Sequence, residues 1–278
     1  SARNYRVVDP QLVLKDEELG RITSDESLRK EIIEKGISRK PGNKRYFGGR
    51  HFVPYDKGGS SDINEGWLPN YYVPTDYYID WSTEAVKRMK ALTIADRIRL
   101  YKENKKIKSE YERTTAAVIR NPDTYFNNYL TFSRTGIYAP TFRLGTNTIY
   151  DSKSDGIFVK NNILKLLAEL NSIMSRYLFK NFICHTVQAE GDATNLLSLI
   201  IADKNQIKPL GSSIISKQKS NPRYDYMTNE QVEIDRLVYQ MYNLRKDDIK
   251  EIEDWFFRRY PKLARVIEEK VADKHRKN

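Results

Sequence analysis

The chain of 278 residues carries 48 Lys and Arg against 37 Asp and Glu, a formal charge of +11 at neutral pH with a pI near 9.4. That balance points to a polyanionic partner, nucleic acid ahead of a membrane surface, and the length suffices for one large core or two modest ones without disulfides or metals. Apolar runs such as Ile163 to Leu170 are interrupted by Lys165 and Glu169 and are too short to span a bilayer, so no membrane partner is expected.

A single cysteine, Cys184, excludes an internal disulfide framework and fits a reducing cytoplasm. His51, His185 and His275 are scattered, so no Cys/His cluster has zinc-ligand spacing and no metal site is expected, although carboxylate sites for Mg²⁺ stay open. The first residues, Ser1-Ala2-Arg3, contain neither an initiator Met nor an apolar signal segment, which suggests a fragment of a longer protein.

Along the chain, residues 1 to 24 alternate apolar and charged side chains only weakly. The run Glu26 to Lys35 has helical spacing at Leu28, Ile32 and Ile33. Arg45 to Tyr55 is rich in Gly and aromatics and reads as a strand, followed by an exposed loop from Asp56 to Asp62. Trp67 to Tyr78, with its two prolines, reads as extended chain lying across a surface. Ser82 caps a helix through Glu84, Val86 and Met89, and Arg97 to Lys108 reads as a second, mostly solvated helix. The texture then turns to β at Tyr129–Arg134, Thr141–Leu144 and Gly156–Val159. Asn162 to Phe182 is the strongest helix, with Leu164, Leu167, Leu170, Met174, Tyr177 and Leu178 on one face. Leu196 to Ile201 reads as a final strand and Gln218 to Tyr226 as a polar loop. Asn229 to Lys274 is helical and broken at Pro261. The expected fold is α+β: a mixed, mainly antiparallel sheet flanked by helices, with a C-terminal helical tail and a boundary near residue 215.

Several of these segments resemble parts of one family. The stretch Tyr46 to Ser82 (YFGGRHFVPYDKGG, then LPNYYVPTDYYIDWS) resembles the entry segment of Type IIG-like restriction-modification enzymes and phage-defence adenine methyltransferases. Phe132 to Arg143 looks like the start of their target recognition domain, related to TaqI-like specificity domains. Leu166 to Ser172 resembles the "LLxxLNS" helix shared with Type I specificity subunits, and Ile234 to Leu244 looks like an "IDxLVYxLYxL" C-terminal helix. The resemblance implies a sequence-specific duplex DNA recognition module in the bacterial cytoplasm. Residues 1–45 would link to an upstream methyltransferase domain, 46–215 would be the recognition domain and 216–278 the helical tail. The parent enzyme would transfer a methyl group from S-adenosylmethionine to adenine N6, with or without an attached Mg²⁺-dependent endonuclease, while this chain would hold no cofactor and no catalytic residue.

The chemistry of that parent needs a Gly-rich loop for S-adenosylmethionine and an Asp/Asn/Ser-Pro-Pro-aromatic motif that grips a flipped adenine. Asn221-Pro222-Arg223-Tyr224 is a near match that lacks the second proline and reads as a turn. The pairs Gly48-Gly49 and Gly58-Gly59 also read as turns. Glu103-Asn104-Lys105 and Glu268-Glu269-Lys270 have nuclease-like spacing but sit in charged helical texture. His185 could touch DNA or simply close the strongest helix.

Because Arg favours guanine edges and Asn adenine edges, the expected DNA contacts are Arg134, Tyr138, Arg143 and Asn147 beside the β region, with Arg50, His51 and Lys57 in the aromatic-Gly segment. Lys217, Lys219 and Arg223 in the polar loop fit phosphates better. An ordinary solvated charge competes with contact at each position. The alternatives for the whole chain are an RNA-binding or protein-interaction scaffold, which 19 tyrosines suit, or an independent Mg²⁺-dependent nuclease.

Overall fold

A computed structural model describes residues 8–56, 66–75, 77–90, 119, 121–133, 139–145, 148–150, 154–159, 161–184 and 206–277. The chain divides into two compact units that alternate along the sequence. The first comprises Ser1–Lys57, Thr75–Asn128 and Thr146–Ser152, the second Gly58–Pro74, Tyr129–Gly145 and Lys153–Asn278.

In the first unit, helix α1 (Asp16–Ser24) starts on three acids, Asp16, Glu17 and Glu18, favoured by the helix dipole, and the Glu18 carboxylate accepts the Lys15 N–H at 2.9 Å. The weak alternation in this stretch concealed α1, which buries only Leu19 and Ile22. Helix α2 (Glu26–Lys35) lies where the spacing predicts it, capped by Asp25, which accepts the Leu28 N–H at 2.9 Å. Gly36 ends it at φ +77; a Cβ there would stand 2.6 Å from the Ser82 carbonyl oxygen, so no other residue fits. Strand β1 (Phe52–Asp56) pairs antiparallel with β2 (Tyr78–Asp80) and parallel with the short β5 (Ile149–Tyr150). Ser82 caps helix α3 (83–90), accepting the Ala85 N–H at 3.2 Å. Ile22, Leu28, Ile32, Ile37, Val53 and Phe126 surround Trp81, whose indole N–H donates to the Ile32 carbonyl at 3.0 Å.

The second unit is built on an antiparallel sheet in the order β4-β3-β6, from β3 (Tyr129–Ser133), β4 (Phe142–Gly145) and β6 (Ser154–Ile157). Leu130 pairs with Leu144 and Phe132 with Phe142, and this apolar set enters the core. The predicted single helix over Asn162 to Phe182 is instead two: α4 (Ile163–Leu170) and α5 (Ile173–Leu178), the latter continued by a π-helical turn, Phe179–Ile183. The break has a cause. The Asn171 side chain accepts the Phe142 N–H at 3.1 Å and donates to the Phe142 carbonyl at 2.9 Å, and Ser172 then caps α5 by accepting the Ser175 N–H at 3.2 Å.

Helix α6 (Ile207–Ser220) occupies much of what the sequence presents as a break between body and tail. Pro209 lies in its first turn, where the missing N–H costs nothing, and Ile207, Ile214, Ile215 and Gln218 form its buried stripe. A Cβ on Gly211 would stand 3.2 Å from the Leu164 carbonyl oxygen, the closeness with which α6 lies on α4. Helices α7 (Glu230–Met241), α8 (Lys246–Arg259) and α9 (Pro261–Lys277) follow, with Pro261 opening α9.

The chain is α+β, as expected, with helices against small mixed and antiparallel sheets and helices at the C-terminal end. Its units divide it differently from the composition-based segments. Residue 215 lies inside α6, residues 16–45 are packed structure of the first unit, and Ile234, Leu237, Ile252, Phe256 and Leu263 share one core with Leu130, Phe132 and Leu167. The predicted strand at 196–201 and helix at 97–108 lie outside the described residues. No helix among the described residues is long and apolar enough to cross a membrane.

Candidate nucleic-acid interface

Cations meet aromatic faces where α6 ends. The last turn carries Lys217 and Lys219, and the chain reverses through Asn221-Pro222-Arg223. Asn221 makes the turn: its side-chain oxygen accepts the Arg223 N–H at 3.2 Å and its carbonyl accepts the Tyr224 N–H at 2.8 Å. The near match to an adenine-gripping motif is therefore a turn whose acceptor is spent internally.

Gln218, fully buried between those lysines, brings in the second half of the surface. Its amide donates to the Asn70 carbonyl at 3.2 Å and accepts the Tyr72 N–H at 3.0 Å, holding the extended segment 66–75 beside α6. Tyr226 fixes the same segment by donating to the Leu68 carbonyl at 2.8 Å, and Tyr71 pairs through its backbone with β4. Arg223 consequently lies 4.7 Å from the Trp67 ring centre, Lys219 5.8 Å from Tyr72 and Lys217 4.8 Å from Tyr224. Trp67, Tyr72, Tyr224 and Gln218 were not among the residues picked from sequence. The aromatic-rich text from 67 to 78 carried the signal for the first two.

The three cations differ in availability. Lys217 is engaged: its ammonium lies 2.7 Å from the Glu230 carboxylate and 3.0 Å from the Tyr224 hydroxyl. Glu230 also accepts from Ser213 at 2.8 Å and from Tyr224 at 2.9 Å. The Glu230 carboxylate holds Lys217 above the ordinary lysine range. Partial burial pushes Glu230 up, but the hydrogen bonds from Lys217 and Ser213 outweigh it and leave the carboxyl below its usual range. Burial raises Tyr224. These directions keep Lys217 charged and Tyr224 protonated, the opposite of what a nucleophile and its base require. Lys219 is exposed with no carboxylate partner among the described residues, and Arg223 is exposed above Trp67.

Three other expected contacts are placed differently: Arg50 is ion-paired, and His51 and Arg143 are buried. Arg50 is committed to Glu18 through bonds of 2.6 to 3.1 Å that anchor the start of α1. His51 is 5% exposed; its Nε2 lies 3.0 Å from the Arg39 guanidinium and its Nδ1 2.7 Å from the Gly49 carbonyl. Since Arg can only donate, Nε2 accepts and Nδ1 carries the proton, giving a neutral imidazole with both nitrogens used. Arg143 is 4% exposed within β4. Lys57, Arg134, Tyr138 and Asn147 lie outside the described residues, as does His185.

The two helical motifs meet in the core beneath this surface. Asn171 of the LNS segment holds β4, and Asp235 of the IDxLVY segment accepts the Ile173 N–H at 2.8 Å at the start of α5. Asp235 also accepts from Gln231 at 3.2 Å, and Gln231 accepts the Tyr71 hydroxyl at 2.7 Å. Arg176, 2% exposed, donates to the Asn70 side chain at 2.8 Å. Gln231 and Arg176 thus hold the 66–75 segment through buried polar bonds, while the motif residues Asn171 and Asp235 brace β4 and the start of α5.

Gly48 and Gly49, at φ +59 and +88, turn the chain into β1 rather than opening a helix. Gly58-Gly59 and Glu103-Asn104-Lys105 lie outside the described residues. Glu268-Glu269-Lys270 is on the exposed side of α9, with Lys270 paired to Asp225 at 3.2 Å. Among the described residues no three His, Cys, Asp or Glu side chains are grouped as metal ligands. No protein-family model and no curated protein matches the chain.

Proposed function

We propose that this chain is the duplex-DNA recognition module of a bacterial restriction-modification enzyme, whose upstream domain transfers a methyl group from S-adenosylmethionine to adenine N6. The observation that supports it best is the row of Lys219, Arg223 and their aromatic partners, fixed by buried Gln218 on a rigid helix and a clamped extended segment. The Lys219 ammonium, seated on the Tyr72 ring with no carboxylate partner among the described residues, keeps donors for phosphate oxygens, and such contacts set register on a duplex. The chain itself acts by binding; methyl transfer, and cleavage where the parent cuts, belong to other parts of that enzyme.

Binding to a random-sequence duplex at two salt concentrations, with RNA as competitor, tests this. Salt-sensitive duplex binding that outcompetes RNA supports it, and Lys219→Ala with Arg223→Ala should flatten the dependence of log Kd on log salt by about two. Preference for RNA would favour a single-strand or RNA-binding module that stacks bases on Trp67 and Tyr72. Absence of duplex binding by the folded chain at low salt would refute the proposal.

A further inference from the structure

From Lys35 to Tyr55 the sequence contains six cations, Lys35, Arg39, Lys40, Lys44, Arg45 and Arg50, and no carboxylate. Much of that charge is displayed on a turn of the first unit. Ser38 and Tyr46 close it by a parallel bridge, the Ser38 N–H donating to the Arg45 carbonyl at 3.0 Å. Inside, the Asn43 amide donates to the Ser38 hydroxyl at 2.8 Å and accepts the Arg45 N–H at 2.9 Å, while the Ser38 hydroxyl donates to the Lys40 carbonyl at 2.9 Å. Residues 39–44 are all exposed.

The neighbouring acids orient these cations from below. Glu31 holds Lys44 at 2.7 Å and Arg45 at 3.5 Å, and Asp80 holds Arg39 at 3.3 Å with buried His51 behind it. Lys40 has no ion-pair partner among the described residues. The side chains of Ser38 and Asn43, which could read base edges, are consumed in holding the turn, and what faces outward is cationic.

We propose that the 38–46 turn is a second nucleic-acid contact that grips the phosphate backbone without reading sequence, through Lys40, with Arg39 and Lys44 held beside it by Asp80 and Glu31. This rests on the duplex-binding function proposed above. A turn already fixed by internal hydrogen bonds loses little entropy on binding, and ammonium groups offered without base-reading neighbours suit phosphates.

The test uses the whole chain and a random-sequence duplex, with Kd measured across a salt series for wild type, Lys40→Ala, Lys40→Ala/Lys44→Ala and a control, Lys30→Ala. Lys30 is an exposed lysine on α2 of the same unit, so it reports general loss of charge. The slope of log Kd against log salt should fall by about one for Lys40→Ala, fall little further for the double variant because Lys44 is already paired with Glu31, and stay near wild type for the control. Circular dichroism confirms that the double variant is folded; if it is not, Lys40→Ala, whose residue has no ion pair to lose, decides alone. Wild-type binding with the loop variants matching the control overturns the loop contact and leaves the recognition function standing. Failure of the wild type to bind duplex overturns both.

Discussion

Asp235 gives the second unit a stability that depends on pH in an unusual direction. Burial pushes its carboxyl up to about 7, against the downward pull of the Ile173 N–H, Gln231 and Arg176. A carboxyl raised in the folded state favours the protonated, low-pH form. Its contribution is therefore full below the unfolded value of 3.8 and is lost as pH rises through about 7. The whole span is worth about 4 kcal/mol at roughly 1.4 kcal/mol per unit, and the part between pH 5 and pH 9 about 3 kcal/mol. Asp235→Asn keeps the shape and an acceptor oxygen for the Ile173 N–H while removing the proton. Urea unfolding followed by far-ultraviolet circular dichroism, for both proteins at pH 5 and pH 9, isolates the effect, because every other titrating group cancels in the difference. The variant should gain about 3 kcal/mol on the wild type between the two pH values. An unchanged difference would mean that Asp235 titrates alike in folded and unfolded chains, and would refute its place as a buried, destabilised carboxylate.

Replacing Asn171 by Leu leaves the Phe142 N–H without its buried acceptor, while the Phe142 carbonyl keeps the Tyr71 N–H, and should cost about 1 to 3 kcal/mol, read as a lower urea midpoint. Gly36→Ala forces a Cβ to 2.6 Å from the Ser82 oxygen at a φ of +77, so a loss of about 3 kcal/mol is expected in the first unit, checked by thermal melting. Glu230→Gln releases the Lys217 ammonium: duplex affinity should rise and the salt slope steepen by about one, and adding Lys217→Met should return both to the wild-type values. If Glu230→Gln leaves binding unchanged, Lys217 faces away from the duplex.

Local pattern made the elements legible wherever local pattern decides them. Leu28, Ile32 and Ile33 mark α2, Ser82 marks the start of α3, and the alternation of Leu130 and Phe132 marks β3. The break at Asn171 was illegible because its partner, Phe142, lies 29 residues away. Helix α6 hid behind Pro209 and Gly211, residues that disfavour helices in isolation and here serve a first turn and a close contact with α4. At the interface, Lys217, Lys219 and Arg223 were legible as exposed cations, and their aromatic seats were not, since Gln218 joins segments 146 and 148 residues apart. Arg50, His51 and Arg143 look like Lys219 in sequence. Only the arrangement of Glu18, Gly49 and Arg39 around the first two, and the burial of the third, separates them.

The alternation of the two units along the chain has a consequence for biosynthesis. Tyr71 waits for Gln231, 160 residues later, before its hydroxyl is bonded, and Leu68 waits 158 residues for Tyr226. At ribosomal rates of about 5–20 residues per second, that interval is roughly 8 to 30 seconds. During it, the aromatic strip from Trp67 to Tyr72 has left the exit tunnel with its final neighbours still unmade. The first unit lacks its closing strand until Tyr150 emerges, whereas the second waits for the helices that end the chain. Newly made chains therefore carry a sticky stretch through most of their synthesis, and holdase chaperones should crosslink to it on stalled ribosomes.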